Sequence, residues 1–155
     1  MSTIAERLRK LGIALPAAPD PVANYVGRVQ AGSLLFVSGQ LPLKDGELVC
    51  TGQAGGAVSV ETARDAARRC AINCIAQAAA HLNGELERVA RVVKLTGFVN
   101  AAPGFADHPA IINGASDLMV AVFGDAGRHA RAAVGVSSLP LDATVELEAV
   151  FEIRQ

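Results

Sequence analysis

The segment ARAAVGVSSLPLDATVELEAVFEI, residues 130–153, decides the fold of this chain. Its second half alternates apolar with mostly acidic residues, and the apolar positions are Val145, Leu147, Ala149, Phe151 and Ile153. A period of two is typical of a strand with one buried and one polar face. The first half is short and rich in small residues, and Ser137-Ser138-Leu139-Pro140 ends it with turn chemistry. The segment therefore predicts two strands joined by a turn, with Arg131 at the head of the first.

Three motifs along the chain resemble those of one known family. The first is an arginine on a small-residue strand, followed by Leu139-Pro140 and a Val-Glu-Leu-Glu strand. The second is the run VSGQLP at residues 37–42, and the third is Asn24-Tyr25-Val26. Together they resemble the Rid (YjgF) family of reactive-intermediate deaminases, which also carries an older label as an L-PSP endoribonuclease. The motifs extend from Tyr25 to Ile153 and so cover most of the chain.

The composition indicates one domain with a core of small aliphatic side chains. The chain has 155 residues, 51% of them hydrophobic but only 4% aromatic, and no tryptophan. Such a length is enough to bury a sizeable core. The formal net charge is −1 with interspersed signs, whereas nucleic-acid binding usually needs a clustered basic face. We therefore expect no nucleic-acid partner, which weighs against the ribonuclease label.

No feature of the sequence indicates a membrane, a metal or a cofactor. No apolar run approaches the roughly eighteen residues that span a bilayer, and the N-terminus lacks the uninterrupted apolar core of a secretory signal. The three cysteines are odd in number, and neither they nor the three histidines have metal-binding spacing. We expect a cytoplasmic protein with reduced, mostly buried thiols, no metal and no cofactor.

The N-terminal part predicts a short helix followed by an extended connector. Ile4, Leu8 and Leu11 have helical spacing, and the helix, about residues 3–11, ends at Gly12. Three prolines between 16 and 21 then keep the chain extended. We divide the chain into residues 1–22, the helix and connector, and residues 23–155, the Rid-like domain.

The remaining elements predict an α+β fold. Residues 25–30 and 34–40 flank Ala-Gly-Ser and indicate a hairpin, and 44–49 predicts a third short strand before a glycine-rich connecting loop at 50–57. Ser59 can cap a long alanine-rich helix, which Asn83-Gly84 would end. A strand over 89–100 and a helix over 110–123, opened by His108-Pro109, follow.

This order of elements gives two main helices on one face of a mixed sheet. The other face lacks cover, so we expect self-association. The resemblance implies a chorismate-mutase-like fold, closed as a homotrimer whose sheets form a central barrel, with clefts between the subunits.

Arg131 is the leading candidate for chemistry. An arginine on a strand of small, apolar residues must either form an ion pair or bind a ligand, because an unpaired charge there is costly. Its planar fork can bind a carboxylate with two parallel hydrogen bonds. A structural ion pair with Glu146 or Glu148 across the sheet is the alternative. The resemblance implies that Arg131 binds the carboxylate of a small-molecule substrate.

The resemblance also implies roles for other residues of the cleft. Glu146 would hold or activate a water near the substrate, although a polar strand face also contains acidic residues that are merely solvated. Tyr25, Ser38 and Gly39 would form the cleft wall, where their alternatives are ordinary packing and strand termination. Asn113 matches a polar helix residue near the family's site.

Two departures from the family pattern concern the neighbourhood of Arg131. Ala133 stands where many members have cysteine, which excludes a thiol mechanism and leaves only backbone groups of this strand for the substrate. The loop Gly127-Arg128-His129-Ala130 replaces a proline-containing approach and is longer than in the short members. Arg128 or His129 would reshape the cleft by this hypothesis. For His129 we favour the alternative that it is simply an exposed loop histidine, because histidine is common in loops.

The resemblance implies an enzyme that hydrolyses 2-imino and enamino acids to 2-oxo acids and ammonia. Such chemistry needs no cofactor, because an imine is already electrophilic and its carboxylate provides a handle for orientation. The alternatives are a non-catalytic protein that binds a 2-oxo acid in the same cleft and an RNA-cleaving enzyme. A chorismate-mutase activity would rest on the fold analogy alone.

Overall fold

The computed structural model describes all 155 residues and contains three α-helices and seven strands. The helices are α1 (Ile4–Lys10), α2 (Val60–His81) and α3 (His108–Phe123). The strands are β1 (Arg28–Ala31), β2 (Leu34–Gln40), β3 (Leu43–Lys44), β4 (Glu47–Leu48), β5 (Val89–Asn100), β6 (Ala130–Val136) and β7 (Val145–Ile153). Short 3₁₀ turns precede β5, β6 and β7. The α+β prediction is confirmed.

The main sheet has five strands in the order β1-β2-β7-β5-β6, and only β5 and β6 are parallel. The predicted hairpin of β1 and β2 is present, although β1 begins at Arg28 rather than Tyr25. β5, α3 and β6 form a crossover unit, which is how parallel neighbours are normally connected. The sheet is therefore mixed, as predicted.

The two strands of the deciding segment are not neighbours, because β5 lies between β6 and β7. The connection that passes the end of β5 is held by Asn100, whose side chain donates hydrogen bonds to Asp142 Oδ1 and to the Ala143 carbonyl, both at 3.2 Å. Alternation along a strand determines which residues share a face but carries no information about the neighbouring strand.

The prediction of a single third strand over residues 44–49 is wrong. Residues 43–48 make a separate two-stranded hairpin, with Leu43 opposite Leu48. Asp45 (φ 53°) and Gly46 (φ 81°) occupy its turn, both in the left-handed region that type I′ hairpin turns require. The Asp-Gly pair therefore turns the chain back at once and does not extend the main sheet.

The core lies between the two long helices and one face of the sheet. All five apolar positions of β7 listed above are buried, as are the small residues of α2 that face the sheet. Ser59 caps α2 by accepting a hydrogen bond from the Thr62 amide at 3.1 Å, as predicted. Gly114 allows α3 to touch α2 directly, since a Cβ there would collide with the Arg64 carbonyl oxygen. Close packing of small residues replaces aromatic bulk in this core.

The N-terminal helix belongs to the same packed body. Thr3 and Glu6 form a capping box, and Ile4 and Leu8 join the main buried cluster. Arg7 Nη1 donates to the Val122 carbonyl of α3 at 3.2 Å. This short amphipathic helix therefore packs on the domain.

The second face of the sheet carries no helix and leaves apolar side chains exposed. Val26, Val29 and Phe36 are 59%, 53% and 45% exposed. A shallow cavity of about 430 Å³ on this face is lined by these residues together with Lys94, Thr96 and Glu148, among others. We call this surface the open face. None of the helices combines the length and apolarity needed to cross a membrane.

Candidate functional site

Arg131 lies on β6, the edge strand, and its side chain projects toward α3. Its Nη1 donates to Asn113 Oδ1 at 2.7 Å and to Ser116 Oγ at 3.2 Å. Both partners lie on the same turn of α3, three residues apart, and therefore on the same side of the helix. The structure thus brings Asn113 to Arg131, while Ser116 is a partner that the sequence analysis did not identify.

The guanidinium of Arg131 has no acidic partner. The ion pairs of the structure join Arg88 to Glu85, Arg91 to Glu152 and Arg128 to Asp125, so the ion pair considered between Arg131 and Glu146 or Glu148 is absent. Both hydrogen bonds of Arg131 use Nη1, which leaves the adjacent Nε and Nη2 donors without a protein acceptor. That edge has the geometry for a bidentate hydrogen bond to a carboxylate.

His129 is held at both ring nitrogens and is not an exposed loop histidine. Its Nδ1 lies 2.6 Å from the Gly127 carbonyl oxygen, and its Nε2 lies 2.9 Å from Ser116 Oγ. The ring is partly buried between the loop and α3. The ring is not exposed because the 3₁₀ turn Gly124–Gly127 folds the loop back on α3.

Ala133 follows Arg131 on the same side of β6. It lies opposite Gly97 in the parallel pairing and is partly buried. A Cβ on Gly97 would collide with Ile112, so the neighbouring strand has no room for bulk at this level. The side chain of Ala133 offers only a methyl group, which leaves hydrogen bonding here to the backbone.

Glu146 lies on β7 and faces the opposite direction. Its carboxyl is half-buried, and this desolvation raises its pKa above the ordinary value, with repulsion from Glu148 adding to the shift. A Cβ on Gly39 would collide with Glu146 Oε1, so the glycine makes the space that the carboxylate occupies. Gly39 and Glu146 therefore form one local arrangement, which the sequence motif alone did not indicate.

Ser38 precedes Gly39 on β2 and is hydrogen-bonded to Gly27, two residues after Tyr25. Ser38 Oγ donates to the Gly27 carbonyl at 3.1 Å, and the Ser38 amide donates to the same oxygen at 2.9 Å. Because its only hydroxyl proton is used, Ser38 can face a ligand only as an acceptor. The pairing of β2 with β7 is irregular at Ser38 and Gly39. The ring of Tyr25 is 59% exposed and has no packing role in the core.

The candidate residues therefore form two groups. The first, at β6 and α3, consists of Arg131, Asn113 and Ala133. The second, at β2 and β7, consists of Glu146, Gly39 and Ser38, with Tyr25 two residues before the Gly27 carbonyl that Ser38 contacts. We call them the arginine group and the glutamate group.

The pairing register places the two groups on opposite faces of the sheet. Arg131 lies opposite Leu95, which is buried under the helices. Glu146 lies opposite Phe98, three residues further along β5, and Glu148 lies opposite Thr96 of the open face. Residues an odd number apart on a strand point to opposite faces. One subunit alone does not bring the two groups together.

Other reactive side chains do not form an additional centre. No group of three or more histidine, cysteine, aspartate or glutamate side chains is arranged to hold a metal ion. The thiols of Cys70 and Cys74 are buried, and desolvation raises the pKa of both. They lie within 3.7 Å of backbone carbonyls of β7 and serve as core residues.

Comparisons with known proteins agree on the family. A family model described as "YjgF/chorismate_mutase-like, putative endoribonuclease" matches residues 5–152. Protein TCP17 of Trypanosoma cruzi is 50% identical over 152 residues, covering 97% of this chain and 94% of that protein. The 2-iminobutanoate/2-iminopropanoate deaminase of Dermatophagoides farinae is 32% identical over 144 residues, covering 92% and 95%.

Solved structures agree on the fold. Protein Atu1372 of unknown function from Agrobacterium tumefaciens has a TM-score of 0.92 at 49% identity, with 99% of this chain and 94% of that chain covered. E. coli TdcF with bound serine has a TM-score of 0.63 at 27% identity, with 89% and 94% covered. With the Arg131 and Ser-Gly-Gln motifs in their places on β6 and β2, these matches lead to one conclusion: the chain belongs to the YjgF family, called Rid above, and has its chorismate-mutase-like fold.

Proposed function

We propose that the protein hydrolyses 2-imino acids, and their enamine tautomers, to 2-oxo acids and ammonia. The observation that carries the proposal is Arg131, a guanidinium on the edge strand that has no acidic partner and keeps its Nε and Nη2 donors free. A charged donor pair that has no protein acceptor fits a substrate carboxylate better than a structural role. The deaminase of Dermatophagoides farinae, at 32% identity, supports this substrate class.

In the proposed reaction, water adds to the imine carbon of a bound 2-imino acid. The carbon–nitrogen π electrons move to nitrogen, which takes up the proton released by the water, and a carbinolamine forms. The hydroxyl proton of the carbinolamine then passes to nitrogen, and ammonia leaves as the carbon–oxygen bond becomes the carbonyl. Arg131 would hold the carboxylate. Glu146 would accept the proton of the attacking water, since its raised pKa brings a carboxylate closer to the range useful for a general base. Ser38, which can only accept, would orient the same water.

This scheme requires residues of both groups around one substrate, and we propose that adjacent subunits of a homotrimer supply them. The arginine group lies at the β6 edge, and the glutamate group lies at β2 and β7 on the open face. An exposed apolar patch such as Val26, Val29 and Phe36 is typical of a subunit interface. A cleft between two subunits would combine the two groups and cover the open face.

A second candidate is a binding protein without catalysis. It is favoured by one departure, since Ala133 removes the thiol that many family members have beside the arginine. The structural neighbour TdcF was solved with bound serine, an amino acid with a carboxylate. In this case the arginine group alone would suffice for binding.

The deciding experiment measures ammonia release from 2-iminobutanoate, generated in place by an amino-acid oxidase or dehydratase. We expect the wild type to exceed the uncatalysed rate and Arg131→Ala to lose kcat/KM by about a hundredfold or more, because two charge-assisted hydrogen bonds are removed. Arg9→Ala, on the exposed side of α1, is the matched control and should keep the wild-type rate. Binding of 2-oxobutanoate without ammonia release would favour the binding protein instead.

A further inference from the structure

The side chain of Arg131 ends a chain of hydrogen bonds that starts at a backbone carbonyl four residues earlier. The Gly127 carbonyl contacts His129 Nδ1 at 2.6 Å, His129 Nε2 contacts Ser116 Oγ at 2.9 Å, and Ser116 Oγ contacts Arg131 Nη1 at 3.2 Å. The hydrogen bonds thus link three elements: the loop before β6, the middle of α3 and the edge strand β6.

Donor and acceptor chemistry gives each hydrogen bond in this chain a direction when the His129 imidazole is neutral. A carbonyl oxygen only accepts, so His129 Nδ1 must carry a proton and donate to Gly127. Neutral imidazole then presents Nε2 as an acceptor, and the Ser116 hydroxyl donates to it. The hydroxyl oxygen of Ser116 is left with its lone pairs facing Arg131, which donates to it. Every polar atom of the chain is satisfied in one consistent arrangement.

We propose that His129 and Ser116 are positioning residues that fix the orientation of the Arg131 guanidinium, and so select which of its edges meets the carboxylate of the substrate. The inference rests on the proposed function, since it concerns the same carboxylate. With Asn113 and Ser116 both bound to Nη1, rotation of the guanidinium about its Nε–Cζ bond is opposed by two hydrogen bonds. The Nε and Nη2 edge is then held free of protein acceptors before the substrate binds.

The chain also explains why the loop Gly127–Ala130 differs from a proline-containing approach. A Cβ on Gly127 would collide with the backbone of Met119 in α3, so this glycine lets the loop lie directly on the helix. The close approach places the His129 ring next to Ser116, one turn of helix before Met119. Arg128, by contrast, points to solvent and makes only a surface ion pair with Asp125 at 3.7 Å.

The test compares His129→Ala, Ser116→Ala and His129→Gln in wild-type and Arg131→Ala backgrounds, by calorimetric binding of 2-oxobutanoate and by ammonia release. Losing one net hydrogen bond should weaken binding and raise KM by about three- to tenfold, with kcat changed by less than about twofold. His129→Gln, whose amide oxygen can replace Nε2 as the acceptor for Ser116, should recover part of the loss. In the Arg131→Ala background, the same changes should have no further effect on binding.

Controls separate positioning from general loss of structure. His81→Ala removes a ring that contacts Gln30 of β1, at the opposite edge of the sheet from β6, and should leave KM unchanged. Equal losses for His129→Ala with and without Arg131, or a fall in kcat with KM unchanged, would overturn the positioning role.

A second measurement does not depend on catalysis. ¹⁵N-labelled arginine reports how fast Nη1 and Nη2 of Arg131 exchange by rotation about Nε–Cζ, and His129→Ala should speed this exchange. An unchanged exchange rate would refute the inference whatever the enzyme assay gives. If wild type and Arg131→Ala neither bind 2-oxobutanoate differently nor differ in ammonia release, the proposed function fails, and the exchange rate still decides whether His129 fixes the guanidinium.

Discussion

Arg131 and Glu146 project from opposite faces of one sheet. Arg131 lies opposite Leu95 of β5 on the helix-covered face, and Glu146 lies opposite Phe98 on the open face. Two residues in this relationship do not contact the same small substrate from within one chain. Any mechanism that uses both requires a second subunit, and this requirement makes the proposed clefts testable.

Mixed oligomers of Arg131→Ala and Glu146→Gln should recover activity that neither variant has alone. A site between subunits is intact when the Glu146→Gln subunit supplies its arginine group and the Arg131→Ala subunit supplies its glutamate group. In a random one-to-one mixture, each condition holds half of the time, so about a quarter of the sites are restored. The measurement is ammonia release after the two variants are co-expressed or unfolded and reassembled together.

The control for this experiment is a mixture of each variant with itself after the same treatment. If the mixed sample stays as inactive as the separate variants although subunits have exchanged, each site lies within one chain or does not use Glu146. Exchange itself is checked by mass spectrometry of differently tagged chains. The result thus separates a wrong site from a failure to mix.

The pH dependence of activity should reflect Glu146. Burial and Glu148 raise its pKa, and the proposed base is the ionised form. Ammonia release above the uncatalysed rate should therefore fall as the pH is lowered through this pKa, which is raised from its ordinary value. Glu146→Gln should lose the catalysed rate throughout and show no such acidic limb. If the rate instead fell at the ordinary pKa of glutamate, burial would not raise the pKa of Glu146 in the working enzyme.

The same shift predicts a change in stability with pH. A carboxyl whose pKa is higher in the folded than in the unfolded protein favours folding below its unfolded pKa, and this contribution is lost as the pH rises through the folded pKa. Glu146→Gln removes that dependence. Thermal unfolding should therefore show the variant gaining stability relative to wild type from acidic pH upward, with a constant difference above the raised pKa.

The open face should determine assembly. Phe36→Glu places a charge in the exposed apolar patch of this face and should reduce the oligomer to monomers of 15.9 kDa, because burying an unpaired charge at an interface is costly. Val49→Glu is a matched control, since Val49 is 46% exposed against 45% for Phe36 but lies beside α2. Sedimentation velocity measures both. A wild-type monomer would contradict the trimer itself, and a trimer unaffected by Phe36→Glu would place its interface elsewhere.

Periodicity was sufficient to predict most elements of the fold. The bounds of β5 and β7 match the structure, and α2 begins after the predicted cap Ser59, because repeating side-chain patterns and caps are local properties. The separation of β6 from β7 by β5 depends on a crossover through α3, which no local pattern records. The hairpin at Asp45-Gly46 differs, because its Asp-Gly turn is a local signal, and the prediction of one strand over residues 44–49 did not use it.

The candidate site rests mainly on the resemblance and only slightly on local pattern. The motif pointed to Arg131 and Glu146. That they lie on opposite faces follows only from the pairing of β5 with both β6 and β7. Ser116 has no motif and is brought to Arg131 by the packing of α3 on β6. His129 was interpreted from its loop position, whereas its contacts depend on the close approach of Gly127 to the helix.

Gly39→Ala should impair catalysis while leaving the fold intact. A Cβ at this position would occupy the space of Glu146 Oε1, and the carboxylate, which ends a flexible side chain, would move away. Gly39 does not have a positive φ, so alanine introduces no backbone strain, and the free energy of unfolding should change by less than about 1 kcal/mol. We expect kcat to fall and 2-oxobutanoate binding through Arg131 to persist. Gly56→Ala, whose Cβ would have 3.5 Å to its nearest neighbours, is the matched control. Loss of binding together with kcat would show that Gly39 contacts the substrate directly and does not act by making room for Glu146.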